Sequence, residues 1–149
     1  MNINQKLRAH LYQAMKDNDI ASKRVLRLLM TSIKLAEVAK GSELDYVEVL
    51  GIIQKEIKTK QDAIADAKRA KRNDLIAEAE DDTKILEKYL PEQLPQEELR
   101  ALAQALIEEL GATSMKDMGR VIKALIAKLA GRTSNQEASR VIRDILQDK

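Results

Sequence analysis

Apolar side chains recur along the chain at helical spacing, in stripes separated by short polar links. Ile3, Leu7, Leu11 and Met15 stand four residues apart and predict a first helix over about 3–16. Asp17-Asn18-Asp19 supplies turn chemistry after it. From 20 to about 38, Val25, Leu26, Leu28, Leu29, Met30, Ile33, Leu35 and Ala36 cover more than one helical face. A helix apolar over so broad a surface needs neighbours on several sides, so this one is expected at the centre of a bundle. Gly41 is placed to cap it, and Ser42 with Asp45 forms a capping-box variant for a third helix. The stripe of that helix (Tyr46, Val49, Leu50, Ile53, Ile57) fades after Ile64 into the basic run Asp66-Ala-Lys-Arg-Ala-Lys-Arg72. Asn73 is expected to cap a fourth helix ending near Tyr89. Leu75, Ile76 and Ala79 should be buried at one end of it, and Ile85, Leu86 and Tyr89 at the other.

The only two prolines, Pro91 and Pro95, fall in Tyr89-Leu-Pro-Glu-Gln-Leu-Pro95. Proline clashes with the preceding turn and drives its predecessor out of the α region, so no helix runs through this stretch. Beyond it the stripes are cleaner. Leu99, Leu102, Ala103, Leu106, Ile107 and Leu110 end at Gly111; Met118, Val121, Ile122, Leu125, Ile126 and Leu129 end at Gly131. Ala138, Val141, Ile142, Ile145 and Leu146 make the last. Ser114 with Asp117 and Ser134 with Glu137 are positioned to start the last two helices. The expectation is an all-α chain: a four-helix N-terminal domain over 1–90, a proline joint or hinge at 91–95, and a small three-helix C-terminal domain over 96–149.

Composition sharpens this picture. Phe, Trp and Cys are absent, so the core must be aliphatic and disulfides and thiolate metal sites are excluded. No basic end followed by an apolar run opens the sequence, and no stretch approaches the roughly 20 apolar residues that span a bilayer. Neither a signal peptide nor membrane association is expected, and the location expected is cytoplasmic. The net charge of +2 hides an uneven distribution. Residues 1–40 carry eight basic and three acidic side chains, 73–110 three basic and eleven acidic, and 111–149 eight basic and four acidic.

Candidate chemistry is sparse. His10 is the only histidine and lacks the companions of a zinc set. Glu78, Glu80, Asp81 and Asp82 crowd one helix start without EF-hand or Glu-x-x-His spacing, and read as a solvated acidic face. Lys68, Arg69, Lys71 and Arg72 suit the negative end of a helix dipole as well as they suit phosphates. On the sixth helix Lys116, Arg120 and Lys123 fall opposite the apolar stripe, as do Arg140 and Arg143 on the seventh. With Lys128 and Arg132 they are candidate nucleic-acid contacts, provided the two faces adjoin.

The segment from Ile52 to Leu94, ending in Tyr-Leu-Pro-Glu-Gln-Leu, and Gly111-Ala-Thr-Ser-Met-Lys-Asp-Met-Gly-Arg-Val-Ile-Lys-Ala-Leu125 resemble the YqeY family over nearly the whole chain. The family is similar to the C-terminal region of the GatB subunit of the glutamine-dependent aspartyl/glutamyl-tRNA amidotransferase, where helical and tail domains hold the tRNA body. The resemblance implies two helical domains, and it places a signature on Lys116, Asp117, Met118, Gly119, Arg120 and Val121, with a glycine-arginine pair on Gly131 and Arg132. The chain departs from the family at Thr133-Ser134-Asn135, where Asp-Gly often follows the arginine, and at Ala127, commonly proline.

The resemblance therefore implies a tRNA-associated module, acting alone or as an accessory to amidotransferase subunits. With so few aromatics, binding would follow RNA shape and phosphates and not base stacking. A protein-interaction adaptor, steered by the charge contrast, is the second reading. Family association also brings carbon–nitrogen ligase activity with glutamine as amide donor. The residues themselves present no cysteine nucleophile, P-loop or triad, and no catalytic residue or cofactor is expected.

Overall fold

The computed structural model describes residues 2–148 and is helical throughout, with no strand among the described residues. Those residues form seven α-helices in order: α1 (Ile3–Lys16), α2 (Ile20–Lys40), α3 (Tyr46–Arg69), α4 (Asn73–Glu87), α5 (Gln96–Leu110), α6 (Met118–Leu129) and α7 (Asn135–Gln147). A 3-10 turn, Met115–Asp117, leads into α6. The chain forms two compact units, Met1–Leu90 and Pro91–Lys149.

In the first unit α3 and α4 form the most extensive helix pair, and α2 touches α1, α3 and α4. Leu7, Leu26, Leu29, Val49, Leu50, Ile53 and Leu86 are the centre of its core. α2 is thus central, as its breadth of apolar positions predicts, yet not all of that breadth is covered. Leu28, Leu35 and Val38 are 52, 66 and 71% exposed. Leu75, expected inside, is 44% exposed: it shares the helix face of the buried Ala79, Asp82 and Leu86 but stands in the first turn of α4, before the buried stretch begins at Ala79.

Helix starts in the first unit differ from expectation in two places. The box at the start of α3 is Asp45 with Glu48: the Glu48 N–H donates to Asp45 at 2.8 Å and the Asp45 N–H to Glu48 at 3.1 Å. Ser42 lies outside it. At α4 the cap position is Arg72, with no side-chain cap bond, and Asn73 is already helical. The Arg72 side chain instead donates to Asp74 in the first turn, at 2.9 Å.

The larger correction concerns Asp82. Placed by sequence on a solvated acidic face, it is 1% exposed. Arg24 of α2 donates to Oδ1 at 2.6 Å, and Lys60 of α3 reaches Oδ2 at 3.2 Å. Glu78 stands 3.5 Å from the same guanidinium. The hydrogen bond to Asp82, with its negative charge, raises the Arg24 pKa. A buried carboxylate is tolerable only with such partners. Both of its oxygens are engaged by helices other than its own, which fixes the rotation of α4 against α2 and α3.

The second unit packs α5, α6 and α7 around Leu99, Ala103, Ile107, Val121, Leu125, Ala138 and Ile142. The proline stretch is fastened to this unit. The Leu94 N–H donates to the Arg132 carbonyl at 3.0 Å, Gln93 Nε2 to the Gly131 carbonyl at 2.8 Å, and Arg132 Nε to the Glu92 carbonyl at 3.1 Å. Pro91–Pro95 therefore stays non-helical, as its prolines require, while bonding to the link between α6 and α7. That link turns through two left-handed residues, Ala130 and Gly131.

Removing the Asp82 carboxylate strands two cations that face it. Asp82→Ala should lower stability by about 2–3 kcal/mol. Urea unfolding followed by tyrosine fluorescence checks this, since Tyr12, Tyr46 and Tyr89 all lie in the first unit.

Candidate nucleic-acid interface

The cations named from sequence in the second unit are all exposed: Lys116, Arg120, Lys123, Lys128, Arg132, Arg140 and Arg143. Exposure follows from periodicity, because Val121, Leu125 and Leu129 turn inward on α6 and Val141, Ile142 and Ile145 on α7. Three of the seven are already engaged within the unit. Arg120 contacts Asp117 at 3.3 Å, one turn before it. Arg132 holds the Glu92 carbonyl. Arg140 donates to Gln96 of α5 at 2.6 Å and pairs with Glu137 at 3.0 Å. The outward face of Arg140 is thus turned to the start of α5, which helical spacing alone does not reveal.

The remaining four, Lys116, Lys123, Lys128 and Arg143, make no ion pair or side-chain hydrogen bond among the described residues. Lys116, in the 3-10 turn, stands three residues before Gly119, and Lys123 one turn after it on α6. A Cβ at Gly119 would meet nothing within 4 Å, and its φ is not left-handed. Glycine costs about 1 kcal/mol relative to alanine in a helix interior and less in the first turn, where Gly119 stands. Nothing within the unit requires one here, and its effect is to leave the backbone bare between two free lysines.

Asp117 holds the start of this face. It accepts from the Thr113 N–H at 3.0 Å, while Ser114 Oγ accepts from the Lys116 N–H at 3.4 Å, so the two side chains close the 3-10 turn from both ends. The backbone bond from Thr113, chiefly, and the Arg120 charge keep the Asp117 carboxyl below its ordinary pKa. At α7, Ser134 Oγ accepts from the Glu137 N–H at 3.1 Å. The Glu137 carboxylate does not return a bond to Ser134; it goes to Gln96 and Arg140, which lower its pKa. Met118 is half-buried behind the signature and packs on the core.

The other candidates are occupied or dispersed. His10 Nδ1 lies 2.6 Å from the Tyr89 hydroxyl, bridging α1 to the end of α4, and burial raises the Tyr89 pKa. Arg69 pairs with Asp66 and Arg72 with Asp74, which leaves Lys68 and Lys71 as the unpaired members of the basic run. No group of three metal-ligating side chains converges among the described residues. None of their helices is long and apolar enough to cross a membrane.

The model of the family described as Yqey-like protein matches residues 4–146. Among curated proteins, the chain is 32% identical over 119 residues to "Altered inheritance of mitochondria protein 41, mitochondrial" of Vanderwaltozyma polyspora, covering 75% of this chain and 64% of that one. It is 32% identical over 90 residues to the protein of the same name in Saccharomyces cerevisiae strain YJM789, covering 60% and 48%. The chain thus spans about half to two thirds of the length of these relatives. Their names place them in mitochondria, and the cytoplasmic expectation is corrected on that finding. That no helix of the described residues is long and apolar enough to cross a membrane does not distinguish one aqueous compartment from another.

The depressed carboxyls fix the sign of an acid effect. A carboxyl whose pKa is lowered by folding stabilises the fold above its unfolded pKa, and that contribution is lost as pH falls through the folded value. Protection of α5–α7 amides from hydrogen exchange should therefore decline through and below the ordinary carboxylate range. In Asp117→Ala/Glu137→Ala, protection should be lower at neutral pH and should decline less steeply on acidification.

Proposed function

The chain belongs to the YqeY-like family, and from that premise we propose that it is a tRNA-associated binding module with no chemistry of its own. The observation that carries this reading is the set of four exposed cations on the second unit, Lys116, Lys123, Lys128 and Arg143, that have no carboxylate to neutralise them. Unpaired lysine and arginine contribute most to nucleic-acid affinity, because each phosphate contact releases condensed counterions without first breaking an internal pair. Gly119 supports the same reading, since an exposed turn without a side chain admits the close approach of a phosphate backbone. The resemblance to the C-terminal region of GatB supplies the class of RNA. Folded tRNA presents phosphates in a fixed array, and a rigid three-helix unit suits such a target better than loose single strands.

Arg120, Arg132 and Arg140 take a different part. Each holds a neighbouring segment: the 3-10 turn, the proline stretch and the start of α5 respectively. They are positioning residues of the surface and not its main phosphate ligands. The lone histidine is hydrogen-bonded to the Tyr89 hydroxyl and so ties α1 to the segment after α4. In this reading amide transfer is left to partner subunits.

Fluorescence anisotropy with tRNA across a salt series separates the two sets. Replacing Lys116, Lys123, Lys128 and Arg143 by Ala should flatten the slope of log affinity against log salt by about one unit for each cation that no longer meets a phosphate. Arg120→Ala/Arg140→Ala should change the slope far less. An unchanged slope in the fourfold variant would refute the proposal.

A further inference from the structure

We propose that the outer face of α2, with the groove it forms against α1, is a docking surface for an acidic amphipathic helix of a protein partner. Leu28, Thr31, Leu35 and Val38 follow at i, i+3, i+7 and i+10, so they form one continuous stripe along α2. The three aliphatic members are each more than half exposed. Scattered exposed aliphatics are ordinary, but a contiguous stripe on a helix whose opposite side fills the core marks an interaction site. At the C-terminal half of α2 the stripe borders a groove of about 630 Å³, with Arg8 of α1 on one wall and Met30, Lys34 and Val38 on the other. The link after α2 closes one end of it at Gly41 and Glu43.

Charge selects the occupant. Arg27 and Lys34 flank the stripe and Arg8 stands across the groove. All three are exposed, and none has an ion-pair partner among the described residues. Glu37, which accepts from the Leu44 N–H at 3.0 Å, and Glu43 bring two carboxylates to the closed end of the groove, so the positive excess comes from Arg27 beside the stripe together with Arg8 and Lys34. A helix laid along this face places its apolar side on Leu35 and Val38 and its carboxylates among three free cations. RNA would use the cations but would leave the aliphatic stripe uncovered. A membrane surface is broad and flat and would not fill the groove between α1 and α2. The combination of concavity, apolar stripe and unpaired positive charge therefore favours a helix over either.

The test uses the full chain and a labelled amphipathic peptide about five turns long, with leucines on one face and glutamates on the other. The matched lysine peptide, phosphatidylserine vesicles and tRNA serve as comparison ligands. The glutamate peptide should bind and the lysine peptide should not. Leu35→Ser/Val38→Ser should weaken binding about tenfold or more. Arg8→Glu/Lys34→Glu should do the same and should gain affinity for the lysine peptide, a swap that general loss of structure would not produce. These positions are exposed or at the groove rim, so circular dichroism should show the wild-type helix content. Equal binding of both peptides, failure of the glutamate peptide to bind, or sensitivity of vesicle or tRNA binding alone to these substitutions would overturn the proposal.

Discussion

The first unit depends on one buried charge. Asp82 sits on α4 with almost no access to water, and its two oxygens are met from two directions, by Arg24 of α2 and Lys60 of α3. Aliphatic packing alone leaves helices free to slide, because leucine and isoleucine surfaces are interchangeable over small shifts. A chain with no phenylalanine or tryptophan is especially exposed to that freedom. A carboxylate that must meet two cations removes it. The arrangement is a constraint on geometry more than a large source of stability, since desolvating the ions offsets much of their attraction. Arg24 Nε, buried without a hydrogen-bond partner, adds to that cost.

With the helices fixed in this way, the outward faces become definite surfaces. In the second unit, internal contacts divide the positive charges into those that hold the fold and those left free. The same distinction applies in the first unit, where Arg24 is committed to Asp82 while Arg8, Arg27 and Lys34 are not. Net charge by segment treats all these side chains alike, whereas only the uncommitted ones are available to a partner. Protein and RNA readings thus rest on different residues in different units.

The helices were largely legible because their stripes are regular and their breaks carry asparagine, aspartate, glycine or proline. α1 is read to its ends from Ile3, Leu7, Leu11 and Met15 and the polar break after them, although Met15 itself is half exposed. Asp82 was not legible. It stands among Glu78, Glu80 and Asp81, and only the rotation of α4 against two other helices tells it apart from them. Position offered one signal: Asp82 lies three and four residues from the buried Ala79 and Leu86, on their face of the helix. The candidate interface was legible as residue types and not as pairings. Glu137 and Asp144, one turn to either side, mark Arg140 as a candidate for pairing, but its bond to Gln96, 44 positions earlier in sequence, is visible only in the fold. The compartment was not legible at all, since the stripes and charges that set the helices do not differ between one aqueous compartment and another.

The most direct test of the central claim, that uncommitted cations of the second unit hold RNA, is lysine footprinting by acetylation and mass spectrometry with and without tRNA. Lys116, Lys123 and Lys128 should be protected by tRNA, with Lys6, Lys16 and Lys34 of the first unit labelled equally in both states. Protection concentrated on the first unit, or spread evenly over all lysines, would contradict it.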